Sequence, residues 1–156
     1  MKKITKLIIF VMLVIPSFAE SSVAGYWKSV DEQTNETTAY WKLEVIDDNL
    51  FGYLVNYPGM EPGHVCTSCS GKLKEYFEEP IKGTAWINLS QNYKGIWRDG
   101  YIINSSPDVG KKYKAEIWLE NSNLKMRGYV GFIYRTQTWL RVDKEEAENV
   151  IMNDRD

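Results

Sequence analysis

The only histidine of the chain, His64, stands close to its only two cysteines, Cys66 and Cys69. Two cysteines with this spacing serve as a structural disulfide, as a thiol–disulfide exchange centre or as thiolate ligands of a metal. A zinc site would use His64 as its third ligand, but no fourth ligand is evident. Covalent haem attachment is excluded, because Ser70 rather than a histidine follows the second cysteine. The disulfide is favoured over the redox and metal interpretations, and no metal ligand or cofactor is assigned.

A second group of basic and aromatic residues lies near the end of the chain. Arg127 and Tyr129 share one face of a predicted strand, and Gln137, Trp139 and Arg141 share one face of the next. Antiparallel neighbours would bring these side chains together. An inward face would let Arg127 and Tyr129 hold an anionic head-group, whereas an outward face would make them a solvated surface with cation–π contacts. The predicted ligand-binding residues are Arg127, Tyr129, Gln137, Trp139, Tyr113 and Trp97.

Hydrolytic chemistry has little support in the sequence. A Ser-His-Asp arrangement would depend on His64 alone. Glu44, Glu116 and Glu120 alternate with lysines and are typical of a solvated strand face, although a spatial pair of carboxylates stays open. The sequence therefore favours a protein that is not an enzyme, and no catalytic residue is assigned.

The elements that must position these residues are strands. Apolar and polar residues alternate with a period of two along most of the chain, which predicts β-strands. Asp47–Asn49 and Asn121–Asn123 separate such runs and predict tight hairpin turns, since Asn and Asp tolerate positive φ. About eight short antiparallel strands must stack as two sheets or close on themselves, and closure removes the exposed edges. We therefore predict an all-β, antiparallel up-and-down barrel with a short C-terminal helix, rather than a sandwich.

Two segments depart from this pattern. Pro58–Gly83 is too long for a hairpin loop, and the spacing of Leu73, Tyr76 and Phe77 predicts one or two helical turns within it. An exposed apolar patch around Tyr76 and Phe77 would suit a protein partner. At the C-terminus, Asp143 and Glu146 predict a helix cap, and the following apolar stripe predicts a helix packed on the barrel. That stripe consists of Ala147, Val150 and Ile151.

The first 19 residues are typical of a secretory signal peptide. Lys2, Lys3 and Lys6 precede the apolar run Leu7–Ile15, which is too short to span a bilayer, and a small-residue cleavage site ends at Ala19. We predict export to the periplasm, with full secretion as the alternative, and no transmembrane segment in the mature form. An oxidising compartment favours the disulfide. The predicted organisation is a signal peptide over residues 1–19, a barrel over 20–142 and an acidic, partly helical tail over 143–156.

The charge of the chain limits its partners. The 156 residues carry a formal net charge of −2, whereas nucleic-acid-binding proteins usually have a basic excess. We therefore expect no nucleic-acid partner.

Several motifs occur in one order along most of the chain, namely Gly25–Trp27, Trp97, Asp99–Ile102, Pro107–Lys111 with Tyr113, Arg127–Gly131 and Arg135–Trp139. In this order they resemble an exported bacterial family catalogued as domain of unknown function 2147. The resemblance extends from about Gly25 to Val142 and departs from the family pattern at Ser106 and Tyr134. It implies a lipocalin-like barrel, in which Trp27 on the first strand packs against Arg141 on the last as a structural pair, and it supplies no substrate.

The resulting functional hypothesis is a periplasmic barrel that binds a small apolar or amphiphilic ligand or an envelope component. Tyrosine and tryptophan supply apolar walls with polar tips for such a ligand. Two alternatives stay open: a thiol–disulfide redox protein acting through Cys66 and Cys69, and an interaction module of the cell envelope that uses Pro58–Gly83.

Overall fold

The structure is a computed structural model that describes residues 22–104 and 111–149. The predicted signal peptide therefore lies outside the described residues, as do Val150 and Ile151 of the predicted apolar stripe. The described elements are β1 (Gly25–Val30), β2 (Thr37–Ile46), β3 (Asn49–Asn56), β4 (Ala85–Tyr93), β5 (Ile96–Asn104), β6 (Lys111–Glu120), β7 (Asn123–Val130), β8 (Ile133–Val142) and the helix α1 (Lys144–Glu148), with a 3-10 helix over Gly71–Tyr76.

The eight strands form a closed antiparallel barrel in which each strand pairs with its neighbours in sequence and β1 pairs with β8. Asp47 and Asp48 join β2 to β3 with φ of 48° and 60°, and Asn121 and Ser122 join β6 to β7 with φ of 50° and 67°. Two consecutive residues with positive φ match the twist of the flanking strands. The predicted fold class and both predicted turns are confirmed.

One end of the barrel carries these short turns, and we call it the closed end. The opposite end, which we call the mouth, carries the β1–β2 connection (31–36), the long β3–β4 connection (57–84) and the β7–β8 turn (131–132). The lower interior is filled by buried apolar side chains from all eight strands, so the closed end is a packed core. Its largest members include Trp27, Leu43, Leu50, Leu89, Ile117, Leu124 and Trp139.

Trp27 and Arg141 are register partners on β1 and β8, where the barrel closes. The Arg141 guanidinium lies 4.2 Å from the centre of the Trp27 ring. Arg141 also donates hydrogen bonds to the carbonyl oxygens of Ser22 and Ala24, and the Trp27 indole N–H donates to the carbonyl of Val23 at 2.9 Å. The predicted contact is present, and it ties the segment before β1 to the last strand.

The long connection packs onto the barrel through its own apolar cluster. Leu73 and Ile81 are buried there together with both cysteines and with barrel residues such as Leu54 and Trp86. The predicted helical turn exists as a 3-10 helix that ends at Tyr76. Because its period is three, Leu73 and Tyr76 share the packed side, whereas Phe77 lies beyond the helix and is exposed. The predicted stripe is therefore wrong at Phe77.

The C-terminal helix α1 is present as predicted. Asp143 is its N-cap, and a side-chain oxygen of Asp143 accepts a hydrogen bond from the backbone N–H of Glu146 at 2.6 Å. Ala147 is fully buried against Tyr40 and Val55 on the outer face of the barrel. The Asp143 cap therefore sets where the helix begins, and Ala147 packs the helix against the barrel.

Candidate functional site

The barrel interior contains a cavity of about 340 Å³ above the packed core. Side chains of seven strands line it, and it opens at the mouth, where the lining residues Thr38 and Asn104 are exposed. This volume falls within the range of about 300 to 1,000 Å³ typical of small-molecule sites. The lining residues are Ser29, Thr38, Ala39, Trp41, Ile87, Ile102, Ile103, Asn104, Tyr113, Met126, Gln137 and Trp139.

Two stacked tryptophans form the aromatic part of the cavity wall. The rings of Trp41 and Trp139 lie 5.3 Å apart with an interplanar angle of 16°. The indole N–H of Trp139 donates to the side-chain oxygen of Gln137 at 3.3 Å. Because this bond uses the amide oxygen of Gln137, the amide N–H groups of Gln137 remain available to donate hydrogen bonds to a bound molecule.

The polar groups of the cavity are all neutral. The hydroxyl of Ser29 lies 2.8 Å from the Thr38 hydroxyl and donates to the carbonyl of Ala39, so it is satisfied within the wall. The hydroxyl of Tyr113 has no hydrogen-bond partner among residues 22–104 and 111–149. Within the described part of the chain, no charged side chain lines this cavity. A buried charge needs a partner, so the interior suits an uncharged molecular surface.

An ion pair stands beside the mouth. The Arg135 guanidinium on β8 approaches the Glu32 carboxylate in the β1–β2 connection at 4.0 Å. Both side chains are exposed, so the pair contributes little to stability. The pair places one positively charged and one negatively charged group just outside the apolar interior.

The structure brings together half of the predicted ligand-binding set. Tyr113, Gln137 and Trp139 line the cavity, whereas Trp97 is 6% exposed and packs in the core towards the closed end. Arg127 and Tyr129 lie on the outer face. The prediction that they share a face with Gln137 and Trp139 is wrong.

The register of β7 and β8 explains this correction. A two-residue turn pairs Val130 with Ile133, which places Arg127 opposite Thr136 and Met126 opposite Gln137. Each strand alternates as predicted, but the turn length sets which residues face each other. Gly131 adopts a φ of 61° in this turn. A turn predicted at this glycine would have identified the correct cross-strand partners of β7 and β8.

On the outer face, Arg127 and Tyr129 have partners of their own. Arg127 donates to the Thr136 hydroxyl at 2.9 Å, and its guanidinium lies 4.5 Å from the centre of the Tyr134 ring. The Tyr129 hydroxyl donates to the Glu116 carboxylate at 2.8 Å. Burial, together with this hydrogen bond, raises the pKa of Tyr129. The structure therefore agrees with the second interpretation of this pair, in which Arg127 and Tyr129 face outward and make cation–π contacts.

Sequence reasoning missed most of the cavity wall, including Ser29, Ala39, Ile102 and Met126. These residues are small or ordinary apolar side chains, so their types carry no functional signal. Alternation could have identified Ser29, because Trp27 sets the inward phase of β1, whereas the other strands each need an inward residue of their own.

Cys66 and Cys69 form a disulfide, and each cysteine is about 1% exposed. Both pack in the apolar cluster of the long connection. Thiol–disulfide exchange needs access for an attacking thiolate, so this burial favours the structural interpretation.

Nδ1 of His64 lies 2.5 Å from the Tyr57 hydroxyl, and partial burial raises the pKa of Tyr57. Among the residues that the structure describes, no three His, Cys, Asp or Glu side chains are grouped to hold a metal ion.

Removing the disulfide is expected to lower the free energy of unfolding by about 2 kcal/mol, because a closed four-residue loop restricts the unfolded chain. Urea unfolding of the wild type with and without a thiol reductant measures this change. The double variant Cys66→Ser, Cys69→Ser is the control and should not respond to the reductant. Unfolding curves of the wild type that coincide with and without reductant would contradict the structural role.

No helix in the described part of the chain is both long and apolar enough to cross a membrane. This finding concerns helices only.

Comparisons with known proteins agree with the geometry. A family model described as an uncharacterized protein conserved in bacteria (DUF2147) matches residues 25–141. A solved structure, protein HP1028 from the human pathogen Helicobacter pylori, which belongs to the lipocalin family, is similar with a TM-score of 0.66 and 16% identity. The match covers 82% of this chain and 88% of that chain. No curated protein sequence matches this chain. The likeness to HP1028 shows the fold alone, and the family match shows that the chain belongs to the bacterial family DUF2147, of lipocalin-like barrel architecture.

Proposed function

We propose that this protein binds a small apolar or amphiphilic molecule, or a component of the cell envelope, with the uncharged part of that molecule inside the barrel. The single observation that carries the proposal is the cavity of about 340 Å³ with an aromatic wall and only neutral polar groups. Small-molecule sites combine apolar walls with a few polar groups that orient the ligand. The related lipocalin-family structure supports the proposal by its fold alone.

The lining indicates how such a molecule would lie. Its apolar part would pack against the stacked rings of Trp41 and Trp139, where burial releases water from apolar surface. A hydroxyl or carbonyl group of the ligand would bond to the Gln137 amide or the Tyr113 hydroxyl. A charged head-group would have to stay outside, near Arg135 and Glu32, because the interior offers no partner for a charge.

The location in this proposal is the periplasm. It is supported by the predicted signal peptide over residues 1–19 and by a disulfide, which persists in oxidising compartments. Protein for the binding experiment is best taken from the periplasmic fraction, where a mature chain beginning at Glu20 is expected.

Titration with two fluorescent probes tests ligand binding. The neutral probe N-phenyl-naphthylamine is expected to bind, and the anionic probe anilinonaphthalene sulfonate is expected to bind more weakly. Met126→Trp and Ala39→Leu should each fill part of the cavity and weaken binding of the neutral probe by about tenfold, which corresponds to losing about 1.4 kcal/mol.

The matched control is Arg127→Gln, on the strand neighbour of Met126 whose side chain faces outward. It should bind the neutral probe like the wild type. Thermal unfolding confirms that each variant is folded. A wild type that binds no neutral probe, or a folded Ala39→Leu variant that binds it as tightly as the wild type, would refute binding inside the barrel.

A further inference from the structure

The β7–β8 turn carries an exposed apolar tip at the mouth of the barrel. Phe132 is 96% exposed, Val130 and Ile133 are each 64% exposed, and Tyr134 is 58% exposed. These four residues, which we call the hairpin tip, lie within five consecutive positions. Contiguous exposed apolar residues mark interaction sites on soluble proteins, whereas scattered ones need no explanation.

The hairpin tip is formed by a two-residue turn between paired strands rather than by a long loop. Val130 and Ile133 are paired across the turn, and Gly131 adopts a φ of 61° that favours glycine. A tight hairpin offers neighbouring apolar groups no place to fold back onto the core. The exposure of the Phe132 side chain is therefore built into the strand pairing.

The strand on one side of the hairpin tip is basic. Its exposed lysines lie on β6, which pairs with β7, and are Lys111, Lys112 and Lys114. Arg135 on β8 is 61% exposed on its side chain and approaches Glu32 at 4.0 Å. The neighbouring β1–β2 connection, on the other side of the tip, carries the acids Asp31, Glu32 and Glu36. The cations beside the tip are therefore concentrated on its β6 side.

Aromatic rings and a guanidinium group lie together next to the hairpin tip. On the outer face below it, the Arg127 guanidinium lies between the rings of Trp118 and Tyr134, at 5.0 Å and 4.5 Å from their centres. The ring of Tyr129 lies 6.0 Å from that of Tyr134. Tyrosine and tryptophan are favoured at the boundary between apolar chains and polar head-groups, and basic residues are favoured beside anionic lipids.

We propose that the hairpin tip inserts into the surface of a lipid bilayer that contains anionic head-groups, and so holds the mouth of the barrel at that surface. Phe132 and Ile133 enter the apolar boundary, and Arg135 and the lysines of β6 contact the phosphates. A second copy of the chain is a poorer occupant, because a symmetric contact would bring Arg135, Lys114 and their copies together. This inference does not depend on whether the cavity binds a ligand.

Co-sedimentation with vesicles tests the proposal on the purified wild-type protein. Vesicles of phosphatidylcholine alone are compared with vesicles in which about a third of the lipid is phosphatidylglycerol. The wild type is expected to bind the anionic vesicles, and less strongly at high salt, since salt screens exposed charges. Phe132→Ser and Ile133→Ser should each weaken binding by about tenfold, because each removes a large apolar contact.

The matched control is Ile46→Ser, because Ile46 is also an exposed isoleucine, 45% exposed, but lies on β2 at the closed end. It should bind like the wild type. Arg135→Gln should reduce the preference for anionic vesicles. The proposal is overturned if the wild type does not sediment with either vesicle, or if Ile46→Ser loses as much binding as Ile133→Ser. It is also overturned if Phe132→Ser abolishes self-association in sedimentation velocity while vesicle binding is unchanged.

Discussion

Replacing Trp27 by alanine is expected to lower the free energy of unfolding by about 3 to 5 kcal/mol, as for a large aromatic side chain removed from a packed core. Trp27 is fully buried where β1 meets β8. The substitution removes the ring that packs in the core, the hydrogen bond to the Val23 carbonyl and the aromatic partner of Arg141. Urea unfolding followed by far-ultraviolet circular dichroism measures the change.

Trp27→Phe is the matched control, because it keeps a ring beneath the Arg141 guanidinium and loses only the indole N–H and part of the volume. It should be markedly more stable than Trp27→Ala. Equal losses in the two variants would mean that the ring contributes nothing beyond the hydrogen bond, contrary to the closure proposed for β1 and β8.

Replacing Gly100 by alanine is expected to cost about 3 kcal/mol for a different reason, which is steric overlap. A Cβ at this position would lie 1.9 Å from the carbonyl oxygen of Asn88 and 2.8 Å from the Cα of Leu89. Both are backbone atoms of the paired strand β4, so no side-chain rotation relieves the overlap. The strands would have to separate beside Leu89, which is fully buried in the core.

Gly128→Ala is the control for this prediction. A Cβ there would meet only the side-chain tip of Ile102, at 3.7 Å, which is ordinary contact. Its stability should equal that of the wild type or exceed it by about 0.5 kcal/mol, since alanine loses less entropy than glycine on folding. A Gly100→Ala variant as stable as Gly128→Ala would show that β5 moves away from β4 without cost.

Local signals predicted the local structure well. Asp47, Asp48 and Asn121 take the positive φ that their turns require, because the tolerance of Asp and Asn for this conformation depends only on the residues themselves. Ser122 takes a positive φ as well, as the second residue of its two-residue turn. The Asp143 cap starts α1 through a local preference too. The period-two alternation was also correct where the strands are regular, since neighbouring side chains of a regular strand point to opposite faces. Register shifts interrupt it in four of the strand pairs.

What the sequence by itself determined, then, is the number and direction of the strands and their closure into a barrel, whereas the contact of Trp27 with Arg141 was implied by the family resemblance. The tertiary structure alone decided which face of β7 points inward, and so turned Arg127 and Tyr129 away from Gln137 and Trp139. It also assembled the cavity from seven strands and left Phe132 exposed at the mouth. Alternation is a property of one strand, whereas inside, outside and cross-strand partners depend on turn lengths and on barrel closure, which join residues far apart in the chain.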